Sequence, residues 1–112
     1  MQVWRENVIE TLRDIADTDA QEAAWVRRVG RPISEPVELG CELFDDSDLG
    51  NRLSAGPVFS NECDALLRRL GLLFETLPLG GPPASVLVSA EWREIVALAR
   101  ASLECIRKGQ SH

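Results

Sequence analysis

The sequence predicts an all-α protein, a single-domain bundle of four main helices and one short helix. Apolar residues recur at intervals of three and four through most of the chain, which is the spacing of an amphipathic helix. The only β-branched fragment, residues 85–88, is too short to build a sheet. The length of 112 residues, of which 45% are hydrophobic and 27% charged, suits one globular domain with its own core.

The second and third of five predicted helices begin at residues suited to helix starts. The five predicted helices cover residues 3–17, 19–29, 36–44, 61–77 and 90–108. Thr18 or Asp19 would cap the second helix, with Gln21 as a capping-box partner, and Gly30 would stop it. Pro36 suits the first position of the third helix. The first two helices therefore form a hairpin.

The third predicted helix carries an apolar face that is expected to pack inward. Val37, Cys41 and Phe44 share this face at spacings of four and three residues. The Asx, Gly and Pro residues between positions 45 and 57 predict turns around one helical turn at residues 49–53. Residues 79–83, with two glycines and two prolines, are not expected to form regular structure.

The last two predicted helices supply most of the core. Ser60 or Asn61 would cap the fourth helix, Pro78 would end it, and Ser89 would cap the fifth. The apolar stripe of the fourth helix comprises Cys63, Leu66, Leu67, Leu70, Leu73, Phe74 and Leu77. The stripe of the fifth comprises Trp92, Ile95, Val96, Ala99, Leu103 and Ile106. Both stripes are wide enough for helices that pack on more than one neighbour.

The cysteines and the N-terminus predict a cytoplasmic protein. Cys41, Cys63 and Cys105 are odd in number and contain no Cys-x-x-Cys pair, so buried reduced thiols are expected. No stretch approaches the ~18 apolar residues of a membrane span. Arg5 and Glu6 interrupt the N-terminus before an apolar run could serve as a secretion signal.

The net charge of −6 is concentrated in twenty residues. Positions 32–51 hold six acidic residues and no Lys or Arg, whereas the other 92 residues carry twelve acidic and twelve basic side chains. The six acidic residues are Glu35, Glu38, Glu42, Asp45, Asp46 and Asp48. A charge concentrated in this way steers a basic protein partner toward it and repels nucleic acid.

Two interpretations of these acidic residues stand side by side. Glu35, Glu38 and Glu42 fall on one helix face opposite the apolar stripe, and Asp45 and Asp46 extend that face. The first interpretation is a solvated helix face beside a capped loop. The second is a patch that binds a partner, because like charges this dense repel one another and add nothing to the stability of the free protein.

No pattern in the sequence predicts catalysis, a cofactor or a metal. The single histidine, His112, ends a polar tail, which excludes Ser/His and Cys/His nucleophile systems. The spacing of Asp46, Asp48 and Gly50 is similar to the start of a calcium loop. However, the glycine falls one position early, and Pro57 stands where a bidentate Glu is required. We therefore expect a binding protein without enzyme activity.

Three stretches resemble a family of small, uncharacterised, all-helical bacterial proteins. They are LRDIAD at residues 12–17 followed by Trp25, LFDD at residues 43–46 and EWREIV at residues 91–96. These are core and capping residues without a catalytic signature, so the resemblance implies a fold. In size, acidity and helical make-up the chain is also similar to the immunity proteins that bacteria encode beside polymorphic or contact-dependent growth-inhibition toxins.

The leading hypothesis is an immunity protein that binds a basic, nucleic-acid-cleaving toxin domain. The cleft of a nuclease must attract phosphates, so localised carboxylates can occupy it as a charge mimic. The second hypothesis is a cytosolic interaction or regulatory protein, including a homodimer, whose acidic segment only aids solubility. A third, a small-ligand or enzymatic role, needs a polar pocket between helices that the sequence does not show. Neither a nucleic acid nor a membrane is expected as a partner, and the oligomeric state stays open.

Overall fold

The computed structural model describes residues 3–77 and 82–109, and all regular secondary structure in these residues is helical. Seven α-helices lie in these residues: α1 (Val3–Ala16), α2 (Thr18–Glu22), α3 (Pro36–Cys41), α4 (Leu49–Ala55), α5 (Asn61–Glu75), α6 (Pro83–Leu87) and α7 (Ala90–Gly109). Two π-helical turns, Ala23–Arg27 and Glu42–Asp46, directly continue α2 and α3. The all-α prediction is confirmed, but the count of four main helices and one short helix is wrong.

The additional helices lie in segments whose local sequence gives a weak helical signal. α4 extends the helical turn expected at residues 49–53, and Leu49 and Leu53 on it are buried. α6 begins with Pro83 in its first turn and buries Val86. Proline is well suited to that position because its missing N–H would have no partner there. Burial in the tertiary structure therefore outweighs the turn-forming composition of both segments.

The second helix is capped and stopped by different residues from those predicted. Asp17 is the N-cap, and its Oδ1 accepts a hydrogen bond from the backbone N–H of Ala20 at 3.0 Å. The π-helical turn ends at Arg28, which adopts the left-handed conformation with a φ of 57°. The backbone N–H of Val29 then donates to the Ala23 carbonyl at 2.9 Å and closes the turn. The helical segment therefore ends two residues before the predicted end.

The buried face of α3 and its π-helical turn is formed by leucines and differs from the predicted face. Leu39 and Leu43 are completely buried, whereas Val37 is 42% exposed and Cys41 is also exposed. The segment has two apolar stripes on adjacent faces, and only one of them can face α1. The leucine stripe takes this position, which leaves Val37, Cys41 and Phe44 along an open groove.

The long C-terminal helix α7 is the centre of the bundle because it packs against both α1 and α5. The buried apolar residues of these three helices are Val8, Leu12, Ile15, Cys63, Leu67, Leu70, Trp92, Ile95, Val96, Ala99 and Ile106. Ser60 Oγ caps α5 at 3.1 Å from the Cys63 N–H, and Ser89 Oγ caps α7 at 3.2 Å from the Trp92 N–H. Both caps were predicted. α5 ends at Glu75, and Pro78 lies outside the described residues.

A disulfide bond joins Cys63 on α5 to Cys105 on α7, so the expectation of three buried, reduced thiols is wrong. The packing of α5 along α7 brings the two Cα atoms to 5.6 Å, a usual separation for a disulfide, although the residues are 42 positions apart. Cys41 is free and exposed. Two of the three cysteines therefore crosslink the core, and the third lies at the surface.

The amide of Gln21 is completely buried and connects three helices. Its Nε2 donates to the carbonyls of Asp14 at 2.6 Å and Ile15 at 2.8 Å, where α1 ends. Its Oε1 accepts from the indole N–H of Trp92 on α7 at 3.0 Å. The last carbonyls of a helix have no partner within it, so this side chain supplies partners that the backbone lacks.

Replacing Gln21 with leucine should destabilise the protein by about 2–4 kcal/mol. The substitution keeps a side chain of similar size but removes the partner of two carbonyls and of the Trp92 N–H. Each unsatisfied buried group costs about 1–3 kcal/mol, and burial of the apolar leucine side chain offsets part of the sum. Urea denaturation would measure the loss. Glu22→Leu, at the neighbouring exposed position, is the control. A loss below about 0.5 kcal/mol for Gln21→Leu would show that the amide is not important for stability.

Removing the disulfide with Cys63→Ala and Cys105→Ala together should cost roughly 4 kcal/mol, because the bond closes a loop of about 42 residues in the unfolded chain. Cys41→Ala should leave the free energy of unfolding unchanged. The measurement is urea denaturation with and without reductant, together with titration of thiols in protein alkylated at cell lysis. One reactive thiol per chain is expected, and three would show that the bond does not form in the cell.

Candidate functional site

The structure places Glu42 and Asp46 in a small cleft between the second π-helical turn and α1. Glu10 and Asp14 of α1 form the other side, and the cleft has a volume of about 300 Å³. The remaining lining residues are Asn7, Thr11 and Ser47. We call this depression the acidic cleft. Its four carboxyl groups are arranged in two pairs, each with a spacing of four residues along its helix.

The other predicted acidic residues do not join the acidic cleft. Asp45 lies on the next face of the same turn and lines a different, apolar groove. Glu35 lies at the edge of a third depression, beside Trp25. Asp48 forms an exposed ion pair with Arg52, four residues later, at 4.0 Å. Glu38 is exposed on α3.

The six acidic residues are therefore distributed around the α3 segment, with only two of them brought together. Glu10 and Asp14 were not predicted to belong to the site. A signal for them was present, since they fall four residues apart on the polar face of the first helix. What the sequence could not show is that this face lies beside the segment after α3.

The negative charge of the acidic cleft is only partly neutralised. Arg31 donates to Asp14 at 2.8 Å and approaches Asp17 at 3.4 Å. The hydrogen bond to Asp14, with the nearby negative charges, raises the pKa of the Arg31 guanidinium despite partial desolvation. Within residues 3–77 and 82–109, by contrast, no ion pair forms at Glu10, Glu42 or Asp46.

Local hydrogen bonds hold the wall of the acidic cleft in place. Ser34 Oγ donates to the Glu42 carboxylate at 2.7 Å, and Ser47 Oγ donates to the Glu42 carbonyl at 3.0 Å. The described residues contain no group of three or more side chains placed to hold a metal ion. The cleft can instead accept hydrogen bonds from cationic donors such as guanidinium and ammonium groups.

A larger groove of about 740 Å³ lies on the side of α3 away from the acidic cleft. We call it the apolar groove. Residues of α3 and its π-helical turn, of α4 and of α5 line it, and Leu77 completes it: Val37, Gly40, Cys41, Phe44, Asp45, Gly50, Leu53, Ser54, Arg68, Gly71, Leu72, Phe74, Glu75 and Leu77. Its apolar content distinguishes it from the acidic cleft.

Two aromatic rings at the groove each pack on a glycine of the opposite helix. A Cβ on Gly40 would lie 2.8 Å from the Phe74 ring, and a Cβ on Gly71 would lie 3.3 Å from the Phe44 ring. The two rings contact each other edge to face, with centroids 6.3 Å apart. The glycines inside the predicted third and fourth helices thus allow α3 and α5 to approach closely.

Within residues 3–77 and 82–109, no helix combines the length and the apolar character needed to cross a membrane. Comparison with protein-family models finds no match to this chain, and no match is found among curated proteins or solved structures.

Gly40→Ala should destabilise the protein by about 1–2 kcal/mol. An added methyl at 2.8 Å from Phe74 forces that ring to move, and overpacking of this kind costs about 1–3 kcal/mol. Gly71→Ala is the matched variant, because its contact with the outer edge of Phe44 is looser and alanine gains about 1 kcal/mol in helix propensity. In urea denaturation, the free energy of unfolding of Gly40→Ala should therefore be lower than that of Gly71→Ala. The reverse order would contradict the packing described above.

Proposed function

We propose that this protein is an immunity protein that binds a basic toxin domain and blocks its nucleic-acid cleft. The observation that carries the proposal is the acidic cleft, where Glu10, Glu42 and Asp46 have no ion pair among the described residues. Charges of one sign brought together in this way repel each other in the free protein. A cationic partner removes that repulsion, so the arrangement favours binding over stability.

Two features of the cleft favour recognition of a folded partner. Glu10 lies on a helix packed against α7, and Ser34 donates a hydrogen bond to the Glu42 carboxylate. A carboxylate held in place before binding loses little conformational freedom when a partner arrives. Charge-assisted hydrogen bonds from Arg or Lys side chains to such carboxylates are short and strong.

The proposed mechanism is competition for the residues with which a nuclease holds its substrate. The phosphate-binding Lys and Arg side chains of the toxin would contact the carboxylates of this protein. The bound protein would thereby exclude nucleic acid from the active cleft of the toxin. The net charge of −6 would accelerate the encounter over distances of about a Debye length, roughly 8–10 Å in physiological salt.

The proposal places the protein in the cytoplasm, where a nuclease meets its nucleic acid. Stable disulfides are typical of oxidising compartments, so fractionation of cells that express the tagged chain must test this location independently of the thiol titration. A second candidate function is a helical interaction protein without a toxin partner. The apolar groove favours it, because an open apolar surface of this kind marks a contact site whatever the partner's activity.

Reversing two charges in the acidic cleft should slow association with the toxin by about 10- to 100-fold at low salt. The variant is Glu10→Lys with Asp46→Lys, both exposed positions without an ion pair in the described residues. The control is Glu22→Lys with Glu94→Lys, which makes the same charge change at exposed positions outside the cleft. Stopped-flow association rates would be measured at low salt and at ~0.5 M salt. The two variants should differ at low salt and converge at the higher concentration, which screens surface charges.

The partner for this measurement must meet three criteria. It is encoded next to the gene of this protein, it arrests growth when it is expressed alone, and the tagged chain captures it stoichiometrically. Co-expression with the wild-type chain should restore growth, and the cleft variant should restore it less well than the control variant. Failure of the wild-type chain to restore growth with any neighbouring product would contradict the immunity function. Equal rates for the two charge variants would instead exclude the acidic cleft as the docking face.

A further inference from the structure

We propose that the apolar groove is a second docking site, which binds a basic amphipathic helix of another protein chain. This inference concerns a different face from the acidic cleft and does not depend on toxin binding. It rests on the shape of the groove, on the apolar side chains left exposed along it and on the charges at its rim.

The groove has the form that helix docking requires, since helices form both of its long walls. On one wall Val37, Cys41 and Asp45 recur at intervals of four residues along α3 and its π-helical turn. On the other wall Arg68 and Leu72 follow the same spacing along α5. Rows of side chains four residues apart are the ridges between which a third helix packs.

Two large apolar side chains are left exposed on opposite walls of this groove. Leu72 of α5 is 63% exposed and Val37 of α3 is 42% exposed. Between them, the half-buried rings of Phe44 and Phe74 continue into the core. An amphipathic helix would bury all four on its apolar face, which is the recognition mode of helix-in-groove complexes. The described residues contain no strand edge that could recruit an extended peptide instead.

The charge at the rim selects a basic occupant. Asp45 and Glu75 lie on opposite walls, and neither forms an ion pair within residues 3–77 and 82–109. Arg68 is the basic residue of the lining, and its Nη2 donates to the Leu53 carbonyl at 2.9 Å. Lys and Arg at the flanks of an incoming helix would therefore face two available carboxylates.

The same charges disfavour a second copy of this chain as the occupant. Two chains of net charge −6 would approach each other with Asp45 and Glu75 at both rims. Like-charge contacts of this kind suppress association. The occupant that fits the groove in both shape and charge is accordingly a basic amphipathic helix from a different protein.

The test uses two synthetic 18-residue helical peptides with identical leucine positions, one with lysine and one with glutamate at all other positions. Fluorescence anisotropy of labelled peptide against the intact protein should show 1:1 binding of the Leu/Lys peptide. The Leu/Glu peptide should bind at least tenfold more weakly. Asp45→Asn with Glu75→Gln should reduce this preference, because it removes the two rim charges.

Matched variants locate the binding surface. Leu72→Gln should weaken Leu/Lys peptide binding at least tenfold. Val88→Gln, at a 71% exposed apolar position outside the groove, should leave it unchanged. The double variant Glu10→Lys with Asp46→Lys should bind the Leu/Lys peptide as tightly as the control Glu22→Lys with Glu94→Lys. The two variants change the net charge equally, so equal affinity would show that the acidic cleft does not bind the peptide. Because Leu72 and Val88 are both exposed, both variants should fold, as circular dichroism would verify.

Three results would overturn the proposal. Equal affinity of Leu72→Gln and the wild-type chain for the Leu/Lys peptide would show that the peptide binds elsewhere. If analytical ultracentrifugation shows self-association of the wild-type chain and Leu72→Gln abolishes it, the groove would be assigned to a second copy of this chain. If the wild-type chain binds dodecanoate but no peptide, and Leu72→Gln abolishes dodecanoate binding, the groove would be assigned to a small amphiphile.

Discussion

The buried amide of Gln21 is the contact on which the arrangement of the helices depends. It satisfies carbonyls at the end of α1 and holds the indole of Trp92 on α7, so the first helix, the short second helix and the last helix share one hydrogen-bonded centre. A polar group in this position restricts the packing more than an apolar one, because any other arrangement leaves its donors and acceptors unpaired. The short helix α2 also contacts α6, and Trp25 in the π-helical turn that continues it packs on Trp92.

From Trp92 a continuous series of aromatic contacts leads outward to the apolar groove. Trp25 and Phe74 both pack on Trp92, with ring centroids 5.7 Å and 6.1 Å from that of Trp92, and Phe44 follows at 6.3 Å from Phe74. The rings at the groove are therefore packed against the core. This packing lowers the cost of ordering them when the proposed occupant binds.

The α3 segment separates two surfaces of opposite chemistry. Glu42 and Asp46 face α1 and build the acidic cleft, whereas Cys41 and Asp45 face α5 and α4 and build the apolar groove. Leu39 and Leu43 anchor the segment between them in the core. A charged surface that steers a partner and an apolar surface that retains one are complementary requirements of protein binding. Their proximity is the physical basis of the proposed binding function.

The sequence by itself determined the helical class, the caps at Ser60 and Ser89 and the inward faces of α5 and α7, because these follow from local hydrogen bonding and from a periodicity that one helix carries alone. It also located the concentration of negative charge. Only the tertiary structure decided which of the two apolar stripes on α3 is buried, that Cys63 meets Cys105, and that Glu10 and Asp14 join Glu42 and Asp46. Each of these depends on which distant helices become neighbours, and residue spacing within one segment carries no information about that choice.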